Sequence, residues 1–118
     1  MLTLPAELLP LIVEFAIIGS KSYQEASDNT MALGNIKDPM AVPYLERVVN
    51  SDKMVERIAI EGLGRINNRE AVDALINILD SQKPEVVASA QFALSRIEAE
   101  TKDPSLKQKI RRALKKNG

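Results

Sequence analysis

Apolar and small residues between Val55 and Ile66 recur at Val55, Ile58, Ala59, Gly62, Leu63 and Ile66, the i, i+3, i+4, i+7, i+8, i+11 spacing of one buried helix face. Val86, Ser89, Ala90, Ala93, Leu94 and Ile97 repeat that spacing with smaller side chains, which lets neighbouring helices approach closely. A third helix of this kind is predicted from Ser22 to about Ile36, so that Leu33, Leu63 and Leu94 superpose. Its upper positions hold Glu25, Asp28 and Asn29, which breaks the apolar rule unless the register slips by one residue. Two further helices, about Pro39 to Asn50 and Arg69 to Asp80, alternate with these. Their buried faces carry Ala41, Val42, Leu45, Val48 and Val49 in one, and Ala71, Val72, Leu75, Ile76 and Leu79 in the other.

The two ends differ from this middle. From Met1 to Ile18 the residues Leu8, Leu9, Leu11, Ile12, Val13, Phe15, Ile17 and Ile18 run most of the way round a helix that Pro5 and Glu7 open. A signal peptide needs a basic leading region, and no Lys or Arg precedes Lys21. A membrane span needs about 20 apolar residues, and Glu7, Pro10 and Glu14 interrupt this shorter run. A helix apolar all round is buried on more than one side. With Leu8, Leu11, Ile12 and Phe15 assigned to the next helix, Leu9, Val13 and Ala16 or Ile17 point outward. That predicts a two-fold homodimer through residues 5–18. A different protein docked there, or burial of the helix inside the monomer, are the alternatives. At the other end Asp103 and Pro104 start a last helix with an apolar stripe of Leu106, Ile110, Ala113 and Leu114. The rest of that helix carries Lys107, Lys109, Arg111, Arg112, Lys115 and Lys116.

The connections repeat as well. Gly34–Leu45, GNIKDPMAVPYL, returns thirty residues later as GRINNREAVDAL at Gly64–Leu75, and an eroded copy begins at Ser95-Arg96-Ile97. Asn50-Ser51-Asp52-Lys53, Asp80-Ser81-Gln82-Lys83 and Gly19-Ser20-Lys21 are equivalent serine-bearing turns, suited to a local side-chain to backbone hydrogen bond. Ser22 and Glu25 have the spacing of a capping box. Self-similarity at a fixed period of 20 to 50 residues marks a solenoid whose units bury their faces only against one another. The motif Gly34-x-Ile36, Asp38-Pro39, Ala41-Val42-Pro43-x-Leu45 and its echo in Gly64-Arg65-Ile66 and Ala71-Val72-x-Ala74-Leu75 resembles the short HEAT-like repeats of the phycobilisome-lyase type. The resemblance covers about residues 20–100. It implies antiparallel helix pairs in a right-handed superhelix with the second helices lining the concave side, and leaves the first and last helices outside the pattern. The basic residue of the family's second helix corresponds to Arg57, whereas Ala26 or Ser27 and Ala88 stand at the equivalent places.

Composition narrows the chemistry. The 118 residues contain no Cys and no His, which removes thiol nucleophiles, thiolate metal sites and the commonest general base. Carboxylates such as Glu56 with Glu61, or Asp73 with Asp80, lack a spacing that would hold them round a substrate, and no cofactor or metal is expected. Two Phe, two Tyr and no Trp weaken any case for an aromatic stacking platform for single-stranded nucleic acid. The formal net charge is zero, yet residues 104–118 hold six basic and no acidic residues, which leaves a net of −6 on the remainder. Such polarity can mark a surface for an acidic partner. Ile60 and Phe92 fall off the main buried faces and are the candidate anchors for a protein on the concave side. Arg65 and Arg96, in register, are expected to make contacts between repeats.

The expectation is therefore an all-α, short right-handed α-α superhelix of about seven helices. It is one domain over residues 1–118, divided as 1–20, 21–100 and 101–118. Its expected role is a non-catalytic, cytoplasmic protein-interaction or adaptor module. The alternatives are nucleic-acid or acidic-partner binding through the basic helix, and service as a lyase-like or chromophore-handling partner subunit.

Overall fold

Local chemistry in the sequence marks several of the helix ends in the computed structural model. The structure describes residues 6–36, 38–51 and 55–117. Pro5 at the opening of the first helix, and Asp52 and Lys53 in the turn of the second pair, lie outside them. Among the described residues there are seven helices and no strand. The first, α1, joins a 3-10 turn Ala6–Leu8, a short α-helical piece Leu9–Leu11 and a π-helical segment Ile12–Ile18. Then follow α2 (Tyr23–Gly34), α3 (a 3-10 turn Pro39–Ala41 leading into Val42–Val49), α4 (Glu56–Ile66), α5 (Arg69–Ile78), α6 (Pro84–Glu100) and α7 (Pro104–Asn117).

Side chains cap the orphan amides that open α2, α3, α5 and α7. Ser22 Oγ accepts from the Glu25 amide at 3.2 Å, as the capping box predicts for its first half. Asp38 Oδ1 accepts from the Met40 amide, Asn68 Oδ1 from Ala71 at 2.7 Å, and Asp103 Oδ1 from Ser105 at 3.0 Å. The serine turns also close locally. Ser20 and Ser51 hydroxyls donate to the carbonyls of Ile17 and Val48, three residues back, while Ser81 instead accepts from the Lys83 amide. At the end of α4 the chain turns through Asn67 at φ 50°, ψ 46°, the left-handed region in which Asn is tolerated better than most residues.

Two layers result. α2, α4 and α6 stack side by side, and α1, α3, α5 and α7 form the second layer, each seated against the helices of the first. The first layer is the tighter. Gly34 of α2 abuts Gly62 of α4 so closely that a Cβ on Gly34 would stand 2.8 Å from the Gly62 Cα. Gly64 of α4 repeats the arrangement against Ala93 of α6, its Cβ position lying 3.5 Å from the Ala93 Cβ. Because α3, α5 and α7 touch one another only sparsely, the stack curves with α2, α4 and α6 on the inside. The motif glycines, read from sequence as helix ends, have negative φ; their smallness serves this close approach.

The core fills the space between the layers and includes Leu33, Leu45, Leu63, Leu75, Leu94, Ile97 and Ile110. α2 resolves its polar positions by the one-residue slip, burying Ala26, Ser27, Thr30 and Leu33 while Glu25 and Asp28 face water. The Thr30 hydroxyl is satisfied by the Ala26 carbonyl at 2.7 Å. Among the described residues no helix is long and apolar enough to cross a membrane.

Two expectations about exposure are overturned. Leu9, Val13 and Ile17, expected to point outward, are buried, and Leu8, Leu11 and Phe15 of the same helix face solvent instead. A helix apolar on all sides does not encode its own roll. In the observed roll Leu9, Val13 and Ile17 enter the core, and polar ties to two neighbours accompany it: Asn29 Nδ2 donates to the Ala16 carbonyl at 2.6 Å, and Glu14 forms a salt bridge with Arg47 of α3. Residues four apart share a face, so the Leu9–Val13–Ile17 stripe turns inward as a unit. Ile60 is the second correction. It is fully buried, because α4 is flanked by α2 and α6 and packed on α3 and α5, and a helix enclosed on three sides buries more than one stripe.

Candidate partner-binding site

Spacings of four along α4 and α6 place Arg57, Glu61 and Arg65 on one row and Ala88, Phe92 and Arg96 on the next. The two rows face each other across the inner surface and line, together with Ser89 and Ala93, a groove of about 320 Å³ open to solvent. Phe92 is the apolar centre of this groove. It is 72% exposed, whereas side chains of its size are mostly withdrawn from water in a folded domain.

Two of the arginines lie against the preceding repeat. Arg65 lies over Gly34 of the preceding pair, its Nη1 3.9 Å from the position of a Cβ there, and donates to Asn35 Oδ1 at 3.1 Å. Arg96 lies over Gly64 in the same way, its Nη2 3.2 Å from the Cβ position. These are contacts between repeats, as the sequence suggested. Their second consequence is that two guanidinium groups, with Arg57, are displayed round Phe92. Of the salt bridges among the described residues, Arg47–Glu14, Lys83–Glu56, Lys109–Asp73 and Arg111–Glu98, none involves the three groove arginines. Sequence reasoning named Phe92 and each arginine separately but did not join them in one site. The signal that could have done so was the shared spacing of four in rows offset by one repeat.

Other candidates fare differently. Of the basic residues on α7, Lys109 pairs with Asp73 of α5 and Arg111 Nε binds Glu98 Oε2 at 2.7 Å. Lys107 is half-buried, and Arg112, Lys115 and Lys116 are exposed. Asn117 adds two more ties, accepting from Gln91 Nε2 at 2.7 Å and donating to the Leu79 carbonyl at 3.1 Å. Part of that helix's positive charge is thus neutralised in docking it to the stack. Glu56 forms a salt bridge with Lys83 and Asp73 one with Lys109, and no group of three or more Asp or Glu among the described residues could hold a metal. A larger cleft of about 480 Å³ lies at the turns and is lined by Glu46, Asn50, Asn77, Asp80 and Lys83. Burial raises the Glu46 carboxyl above its ordinary value, and the Lys83 ammonium is bound to Glu56 at 3.3 Å. Its apolar lining, Val49, Ile78 and Val86, is buried or half-buried.

A stripe of Leu8, Leu11 and Phe15 on α1, exposed by 37%, 52% and 72%, is the other apolar surface that stands out. It is close in sequence to the interface expected from the helix, but made by the opposite set of residues.

Comparison with known proteins agrees with the architecture. The HEAT-repeat pattern matches residues 16–95 and again 48–117, which takes in α7 and most of the chain. The bilin biosynthesis protein PecE of Mastigocladus laminosus is 30% identical over 91 residues, 75% of this chain and 34% of that protein. The chain therefore spans about a third of that relative's length.

Proposed function

Because the chain belongs to the HEAT-repeat family, we propose that it is a non-catalytic protein-interaction or adaptor module whose docking surface is the groove round Phe92. The observation that carries this reading is a large aromatic side chain, 72% exposed on the inner layer, in a chain with only four Phe and Tyr residues. Buried apolar anchors in a polar rim carry most of the energy of protein interfaces, and here the rim is arginine, a residue enriched in them. Affinity purification of the full chain from its native cell, with quantitative mass spectrometry, tests it. Phe92→Ala should strip the specific partners, while Tyr23→Ala, at another exposed aromatic, should keep them. An unchanged partner set in Phe92→Ala sinks the groove as the docking surface.

A second reading concerns self-association through α1, with Leu8, Leu11 and Phe15 as the contact. Their exposed side chains amount to roughly 300 Å², which reaches the size of a typical interaction patch. Doubled in a two-fold contact this is about 600 Å², below the roughly 1,000 Å² of a stable interface, so the dimer expected on this geometry is weak. Sedimentation equilibrium should show association only at high concentration, abolished by Leu11→Ser with Phe15→Ser; a monomer at every concentration rejects it. A third reading follows from the similarity to PecE, whose name places that protein in bilin biosynthesis: this chain would serve as a partner subunit beside such an enzyme. Co-purification with a bilin-handling protein is its test.

A further inference from the structure

We infer that the partner presents to this groove an acidic linear segment with one apolar side chain, which seats on Phe92 while its carboxylates meet Arg57, Arg65 and Arg96. The inference rests on the docking surface proposed above and adds the chemistry of what docks. The groove lining contains three arginines and one acidic residue, Glu61. The described salt bridges all involve other residues, and the one hydrogen bond described for this trio goes from Arg65 to the neutral amide of Asn35. In a chain of zero net charge, this leaves unneutralised positive charge gathered in one concavity, where it attracts an anionic partner. All three cations are arginine. The planar guanidinium suits two-pronged recognition of carboxylates, which the ammonium of lysine does not offer.

Size and apolar character narrow the occupant further. A groove of about 320 Å³ is at the lower end of ligand-sized pockets and holds one large side chain with its neighbours, not the face of a folded domain. Phe92 with Ala88 and Ala93 makes its apolar lining. A nucleic acid strand fits less well. Successive bases need successive aromatic faces, and Phe92 is the groove's single aromatic residue. Glu61, between Arg57 and Arg65 on the same row, would also repel a continuous polyanion, while it can accept a backbone N–H from a peptide.

Fluorescence polarisation with the full chain and short labelled peptides tests the inference. The probes are an acidic peptide with a central Leu, the same peptide with that Leu changed to Ala, a charge-inverted Lys peptide with the Leu kept, and oligo-dT. The acidic Leu peptide should bind at least tenfold more tightly than any other probe, a difference of about 1.4 kcal/mol. Its affinity should fall as salt rises, because these charges sit at the surface. Each single Arg→Gln change should weaken it roughly two- to fivefold, and Phe92→Ala about tenfold. The variants should melt with wild type, since all four side chains are exposed. Arg65→Glu with Arg96→Glu should reverse the preference toward the Lys peptide, an outcome that misfolding does not mimic. Equal binding of the Ala peptide, tighter binding of oligo-dT, or binding unaffected by the Arg substitutions each overturns the inference. Where acidic peptides fail to bind but Phe92→Ala still strips the native partners, the chemistry assigned here falls and the docking surface stands. Where both fail, the docking surface falls with it.

Discussion

The same substitution at two equivalent positions of the repeat should have effects of opposite sign. Gly34 and Gly64 open matching motifs, and each lies where one inner helix meets the next. Replacing glycine by alanine in a helix interior favours folding by up to about 1 kcal/mol through lost backbone freedom in the unfolded chain; at Gly34, the last residue of α2, the gain is smaller. Against it stands the added methyl. At Gly34 the methyl would lie 2.8 Å from the Cα of Gly62, and backbone cannot swing aside as a side chain does. α2 and α4 would have to separate by several tenths of an ångström or more. A gap of 0.5 to 1 Å forfeits a quarter to a half of each dispersion contact along the seam, and overpacking of this kind costs typically about 1–3 kcal/mol. At Gly64 the methyl meets the Ala93 methyl at 3.5 Å, an ordinary contact, and the Arg96 guanidinium at 3.2 Å, the mobile end of an exposed side chain. Gly34→Ala should therefore destabilise by roughly 1–2 kcal/mol, and Gly64→Ala should be neutral or stabilising by up to about 1 kcal/mol. Urea unfolding followed by far-ultraviolet circular dichroism measures both, with the slope m checking that the transition keeps its two-state form. A Gly34→Ala variant as stable as wild type, or shifts of the same sign at both positions, would refute the claim that the α2–α4 contact is set by backbone proximity.

Leu63→Ala should cost about 2–5 kcal/mol, since the side chain is fully buried in the central inner helix; a thermal melt within a degree of wild type would contradict that. Glu46 makes a pH-dependent prediction. Its carboxyl is raised by burial, so ionising it costs the folded chain more than the unfolded one, and stability is lost as pH rises through the carboxylate range. Glu46→Gln should accordingly raise Tm at neutral pH, with the difference closing below about pH 4, where Glu is protonated in both states; a constant offset at all pH values would assign the gain to something other than ionisation.

Much of this protein is written in local spacing. The apolar faces of α4 and α5, the caps at Ser22 and Asp103, and the repeated serine turns depend on residues within one or two helical turns of each other, and such local interactions form wherever the helix sits. The family resemblance of Gly34–Leu45 and Gly64–Leu75 belongs to the same level, because it records a repeated unit. What the sequence left open is what neighbours decide. The roll of α1, with Leu9, Val13 and Ile17 inside and Leu8, Leu11 and Phe15 outside, could not come from a helix apolar on every side; it depends on the core that the other helices present to it. Ile60 was buried by its position as part of an enclosed helix, which its own periodicity does not contain. Arg57, Arg65, Phe92 and Arg96 were each visible in the chain, and only the stacking of α4 on α6, brought close by glycine and alanine, placed them round one groove.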